Sequence, residues 1–154
     1  MRAALAAVRS LFGAAACSLA LLDEGGERLR FVAADGAGAE AIEGTDLPVT
    51  RGIAGWVALS GEPIAVAEVA ADARFARDVA EATDYLPSVI LAAPLPGVDG
   101  DVLGVLELLD PARGDEVVLG NRRGSAAELA LLTTLAGLLA PVADAGLLPD
   151  GPGR

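Results

Sequence analysis

The sequence predicts an α+β fold: an antiparallel sheet with the first and last helices on one face and two short helices on the other. Three observations carry this. Apolar runs come in pairs joined by short turns, and helical segments separate the pairs. The most apolar pair, residues 88–95 and 102–109, flanks Val98-Asp99-Gly100-Asp101, and Asp-Gly between two apolar runs is a strong hairpin signal. Finally, residues 50–61 read as a short helix carrying Gly52, Gly55 and the chain's single tryptophan, Trp56. A glycine inside a helix costs about 1 kcal/mol against alanine. A helix that bears two of them is expected to lie very close to a neighbour and to roof a pocket over the sheet.

In chain order, residues 3–12 form the first helix. Leu5, Val8 and Phe12 recur at helical spacing, Leu11 widens the stripe, and Gly13 ends it. A strand at 15–22 sets Cys17, Leu19 and Leu21 on one side and Ser18, Ala20 and Leu22 on the other. Asp23-Glu24-Gly25-Gly26-Glu27 turns the chain into a second strand at 28–34. Residues 35–49 are rich in Gly, Ala and acids, with a turn of helix near 38–42 and an extended Leu47-Pro48-Val49. Thr50 is expected to cap the helix at 51–60, and Gly61 to follow its last turn. A strand at 64–69 starts after Pro63, which cannot donate to a ladder, so the strand begins at an edge or in a turn. Asp72 is read as the start of a helix at 73–83 with Phe75 and Val79 on one face, closed by Asp84-Tyr85-Leu86-Pro87.

Strands 88–95 and 102–109 are apolar on both faces and are expected to be central and covered on both sides; Pro94 fits a bulge or a strand end. Residues 110–124 read as an acidic, Gly-rich loop. Ser125-Ala126-Ala127-Glu128 is a capping box that opens a last helix at 126–140, ended by Pro141. Leu129, Leu132, Leu135 and Leu139, with Leu131 and Leu138 beside them, make a stripe wider than one sheet face needs, which points to a dimer seam shared with the first helix. Residues 1–142 read as one domain and 143–154 as a disordered tail.

Composition removes several function classes. The 154 residues include no histidine and a single cysteine, Cys17, and every basic residue is arginine. Imidazole triads, His-based zinc or haem sites, lysine Schiff bases and an internal disulfide are excluded. Cys17, among Ala14, Ala15, Ala16, Leu19 and Leu21, reads as a buried structural thiol. A net charge of −11 with scattered arginines repels nucleic acid and anionic membranes. No apolar run is read as reaching the ~18 residues of a membrane span. Arg9 interrupts the N-terminal apolar stretch, which is taken as helix and not as a signal peptide, so the expected compartment is the cytoplasm. Asp99 and Asp101 are explained by their hairpin turn, and no metal site is expected.

Four blocks of sequence, in order and with their gaps, resemble a GAF domain over roughly residues 3–140. They are Arg51-Gly52-Ile53-Ala54-Gly55-Trp56-Val57-Ala58 through Ser60-Gly61-Glu62-Pro63-Ile64, then Asp72-Ala73-Arg74-Phe75, Ser88-Val89-Ile90-Leu91-Ala92-Ala93-Pro94-Leu95, and Leu103-Gly104-Val105-Leu106-Glu107-Leu108. The resemblance implies a six-stranded antiparallel sheet with two helices behind it and a small-molecule pocket in front. The family supplies regulatory ligand-binding and dimerisation modules to kinases, phosphodiesterases and transcription regulators. On this resemblance the chain is expected to be a stand-alone, non-catalytic sensor that signals through its terminal helices, as a homodimer or to a signalling partner. The rival readings are a structural dimerisation or docking domain with a closed pocket and, least favoured, an enzyme acting on sulfoxides or similar small substrates.

The ligand-binding candidates are Gly55, Trp56, Phe75, Val79, Glu81, Thr83, Tyr85 and Ser88. Gly52 and Gly55 could turn backbone N–H groups toward a ligand carbonyl or phosphate at the helix N-terminus. Trp56 could stack on a planar ligand or pack between helix and sheet. Phe75 and Val79 face inward, and Glu81, Thr83, Tyr85 and Ser88 stand where the family pocket opens. The chain departs from the cyclic-nucleotide-binding members at Ala80, which replaces one acid of a pair. It lacks the cysteine placement and histidine of bilin-binding members, and the several cysteines of the catalytic sulfoxide reductases. No bilin, haem or other cofactor is expected.

Overall fold

A computed structural model describes residues 1–112 and 125–145. Six strands form one antiparallel sheet in the order β3-β2-β1-β6-β5-β4. The strands are β1 (Ala16–Leu22), β2 (Arg28–Gly36), β3 (Asp46–Pro48), β4 (Ile64–Val66), β5 (Ile90–Pro96) and β6 (Val102–Leu109). The helices are α1 (Arg2–Phe12), α2 (Ala39–Ile42), α3 (Gly52–Ser60), α4 (Arg77–Ala82) and α5 (Ala126–Asp144).

The sheet divides two cores. Alternation along β1, β5 and β6 sends Cys17, Leu19, Leu91, Ala93, Leu106 and Leu108 toward α1 and α5. There they meet Leu5, Val8 and Phe12 of α1 and Leu132, Ala136 and Ala140 of α5. The intervening residues Ala20, Ala92 and Val105, with Phe31 of β2, face Ile53, Ala54 and Val57 of α3. Burying each of the large aliphatic side chains is worth about 1.5–3 kcal/mol. The expected layering is therefore present: α1 and α5 on one face, α3 and α4 on the other. The capping box forms as the spacing predicts, with the Glu128 N–H donating to Ser125 Oγ and the Ser125 N–H to Glu128 Oε1, both at 3.2 Å.

Several local expectations are corrected. Thr50 is exposed and caps nothing; Arg51 holds the N-cap position without a side-chain bond. The two glycines explain why α3 can start there. Gly52 has φ +76°, a conformation other residues avoid, and a Cβ on Gly55 would sit 2.4 Å from the Val49 carbonyl oxygen. The close neighbours are thus Val49, just before the helix, for Gly55 and Leu47 of the edge strand β3, at 3.1 Å, for Gly52.

Asp72 does not open a long helix. Its Oδ1 accepts from the Arg74 N–H at 2.9 Å and its carboxylate grips the Arg74 guanidinium at 2.6 Å, so the cap closes a turn and α4 starts only at Arg77. β4 ends at Val66 because Val69–Ala71 winds into a 3-10 turn. β5 starts at Ile90, since the N–H groups of Ser88 and Val89 go to Asp110 Oδ1 instead of a ladder. Pro94 lies within β5 opposite Val105 and past the last residue paired with β4, Ala92, so one side of the strand has no ladder partner there; the register shift falls between Leu95 and Pro96.

α5 does not stop at Pro141. It runs on to Asp144, and burial of Ala140 and Ala143 against the sheet offsets the roughly 3 kcal/mol that an interior proline costs. Residues 143 and 144, expected in a disordered tail, are helical. With 19 residues and a mean hydropathy of 1.7, α5 also reaches the length and apolarity of a membrane span, contrary to expectation, although Leu132, Ala136 and Ala140 pack on the sheet. The remaining expectations, most of the acidic loop and a tail over 146–154, lie outside the described residues.

Candidate functional site

A cavity of about 90 Å³ lies between the sheet and the α3–α4 face. Its floor is Ser18 on β1, Phe31 and Ala34 on β2, Ile90 on β5, and Glu107 and Leu109 on β6. Ile53 and Ala54 of α3 roof one side, and Phe75, Val79, Thr83 and Tyr85, in and around α4, roof the other. Ala37, Gly38 and Ile42 form a side wall.

Most of the lining is apolar, and among the described residues its single charged group is Glu107. The strand register sets Glu107 between Ser18 on β1 and Ala92 on β5. Burial pushes its carboxyl up to about 7 from 4.5, opposed by the pull of the Ala54 N–H in the first turn of α3 on the charged form. Part of the residue stays accessible. Glu107 lines a cavity that is partly open, so water reaches part of the carboxyl and softens the desolvation without removing its direction.

Tyr85 is held from outside the cavity. Its hydroxyl donates to Asp110 Oδ2, while Asp110 Oδ1 accepts from the Ser88 and Val89 N–H groups at 2.9 and 2.8 Å. Asp110 adopts φ +48° to make these bonds. The Thr83 hydroxyl donates to the Ala80 carbonyl at 2.8 Å and finishes α4. Among the described residues no group of three or more metal-ligating side chains converges.

Four of the eight sequence candidates meet in the cavity: Phe75, Val79, Thr83 and Tyr85. Four do not. Gly55 presses on Val49. Trp56 is half-buried against the α3 core, and the Arg74 guanidinium lies 4.9 Å from its ring centroid, so the protein supplies its own stacking partner. Glu81 and Ser88 are exposed and off the cavity. The first turn of α3, where a phosphate seat is expected, places Ile53 and Ala54 on the cavity beside the Glu107 carboxyl.

Sequence reasoning missed Ser18, Glu107 and Asp110. Glu107 left a signal: it is the one acid inside the apolar run 102–109, at a position whose strand neighbours Val105 and Leu109 share its face. Cys17 sits on the other side of the sheet, and burial together with the nearby negative Asp35 and Glu107 pushes its thiol up to about 12.

Residues 1–142 match the family model described as a GAF domain. The chain belongs to the GAF family. This GAF domain is 36% identical over 64 residues to the dual 3',5'-cyclic-AMP and -GMP phosphodiesterase 11 of Drosophila melanogaster, a match covering 42% of this chain and 4% of that protein. The chain thus spans less than a tenth of the length of the curated relatives it matches. The GAF domain of a phosphoenolpyruvate-protein phosphotransferase from Coxiella burnetii superposes with a TM-score of 0.74 at 22% identity, over 94% of this chain and 80% of that one. The free methionine-R-sulfoxide reductase of Neisseria meningitidis, solved with its substrate, gives 0.68 at 21% identity over 91% and 73%. The family is one of regulatory and sensory modules, and its fold also serves an enzyme.

Proposed function

We propose that this GAF domain is a non-catalytic sensory module. A small molecule binds in the cavity under α3 and α4, and its presence biases the packing of α1 and α5 and so reaches a second copy of the chain or a signalling partner. The observation that carries this reading is the cavity: an apolar chamber with a few polar groups, Ser18 and Glu107 on its floor, is the usual form of a small-molecule site. Transmission requires that the ligand favour one of two arrangements of the roof.

Side-chain chemistry speaks against catalysis. The chain offers neither imidazole nor lysine amine, and its thiol lies across the sheet from the cavity with its proton firmly held. Nothing in this reading requires haem, bilin, metal, nucleic acid or a membrane, and a cytoplasmic location fits an acidic domain with a single buried thiol. The surface of α5 supports dimerisation. Leu131, Leu135, Leu138 and Val142 recur at the spacing of a coiled-coil seam, with Leu138 and Val142 still 68% and 54% exposed; Leu11 of α1 is 57% exposed.

The test is a thermal-shift screen of metabolites and fragments of every charge type, followed by calorimetry on those that raise the melting temperature. A screen in which nothing stabilises the protein overturns the sensing reading. Sedimentation across concentration tests the second part: the wild type should dimerise and Leu138→Glu should not, while a wild type that stays monomeric rules the dimer out.

A further inference from the structure

Resting on the reading that the cavity binds a small molecule, we propose that its occupant is a compact organic cation, an ammonium, amidinium or guanidinium group on a small apolar body, whose N–H donors engage Glu107 and Ser18. Charge is the first discriminator. Among the described residues Glu107 is the one charged group of the lining, and no arginine joins it there. Of the described arginines near the roof, Arg51 pairs with Asp78, Arg74 with Asp72 and the Trp56 ring, and Arg77 at the start of α4 is exposed and off the cavity lining. An anionic ligand would enter a lining with no countercharge, beside a carboxylate.

The usual alternative seat for an anion is the N-terminus of a helix, where free N–H groups point outward. Here the first turn of α3, at Ile53 and Ala54, shares the cavity wall with the Glu107 carboxylate, which the Ala54 N–H favours in its charged form. The protein has in effect built an anion into that position. A carboxylate flanked by Ser18, Ala92, Ile90 and Leu109, with one backbone donor, is half of an ion pair; a buried charge without a partner is costly. Its raised proton affinity reports the same imbalance. A cation carried in by a ligand completes the pair, and Ser18 directly across the strand ladder offers a second acceptor.

Size and shape narrow the class. The chamber of about 90 Å³ is smaller than the ~150 Å³ cavity that takes benzene. It accepts a head group and a short apolar body against Ile53, Phe75 and Val79, and is too small to enclose a nucleotide. Such a site selects by charge sign first, because burying a like-charged head next to Glu107 is strongly unfavourable, and by bulk second.

The experiment is two-dimensional amide NMR of the full chain with millimolar n-propylamine, methylguanidine and benzamidine, against n-butyrate, benzoate, inorganic phosphate and cyclic GMP. The cations should shift the Ala54, Thr83 and Glu107 amides with saturable curves, and the anions should leave them in place. Glu107→Gln, nearly isosteric, should weaken the cations at least tenfold. The wild-type comparison of cations with anions needs no variant and stands alone if the substitution disturbs folding. Shifts from anions only, or undiminished cation binding by a folded Glu107→Gln, overturn the cation assignment and leave the sensing reading standing. If neither set moves these amides, the cation assignment falls; the sensing reading falls with it only if the broader thermal-shift screen is also silent.

Discussion

Glu107→Gln should stabilise the ligand-free protein, and by an amount that grows with pH. The carboxyl titrates near 4.5 in the unfolded chain and near 7 in the folded one, because burial under α3 outweighs the pull of the Ala54 N–H. The folded state therefore binds this proton more tightly. Below pH 4.5 both states are protonated and the group costs nothing; as pH rises from there through 7 the folded state loses ground, and above 7 the loss is constant. At about 1.4 kcal/mol per pKa unit the full cost comes to about 3 kcal/mol. This is an upper figure, since water in the cavity solvates the ionised group. Among the described residues lining the cavity Glu107 is the one carboxyl, flanked on its ladder by Ser18 and Ala92, so the titration in this window is its own. Glutamine keeps the shape and an acceptor for the Ala54 N–H but has no charge to bury. Urea unfolding of wild type and variant at about pH 5, 6, 7 and 8 should give a stability difference of about 1 kcal/mol or less at the acid end. By pH 8 it should approach about 3 kcal/mol, or roughly 6–12 °C in melting temperature for a domain of this size. A difference that does not change with pH, or one that favours the wild type as pH rises, would refute the account of Glu107 as an uncompensated acid.

Three further outcomes are expected. Gly55→Ala should destabilise the protein by about 1–3 kcal/mol in urea unfolding, despite alanine's better helix propensity, because its Cβ would meet the Val49 carbonyl at 2.4 Å; a stabilised variant contradicts the contact. Cys17 should resist a disulfide reagent in the native protein at pH 8 and react freely in urea, its proton being held up to about 12 by burial; equal rates in both states refute its placement. Ser125→Ala should cost about 1 kcal/mol in stability by deleting the N-cap of α5, and an unchanged unfolding midpoint would count against the capping box.

Features written in local sequence were legible. The alternation of Cys17 and Ser18 named the two faces of β1, and Ser125 with Glu128 named the start of α5, because each depends on residues a few positions apart. Of the residues the family resemblance put near the pocket, Phe75, Val79, Thr83 and Tyr85 line the cavity under α3 and α4. What escaped was set by side-chain partners that periodicity does not name. Asp72 looked like a helix cap until Arg74 took its carboxylate. Trp56 looked available until Arg74 covered its ring. Glu107 passed as part of an apolar strand, because nothing near it in sequence announces that Ala54 closes over it. A long apolar helix overrode Pro141 for a similar reason, since the surface that holds its last turn comes from the sheet.

The bonds of Asp110 give the roof of the cavity two unlike sides. At the end of β6, one carboxylate holds the Tyr85 hydroxyl and the N–H groups of Ser88 and Val89, while its own N–H donates to the Val89 carbonyl at 2.9 Å. The segment leaving α4 is thereby pinned to the sheet. Across the roof, α4 is fastened to the start of α3 by the Arg51–Asp78 ion pair, exposed on both partners and weakened by water and salt. The roof of the cavity is thus held firmly at Tyr85–Asp110 and loosely at Arg51–Asp78. Salt should weaken the second tie and leave the bonds of Asp110 in place.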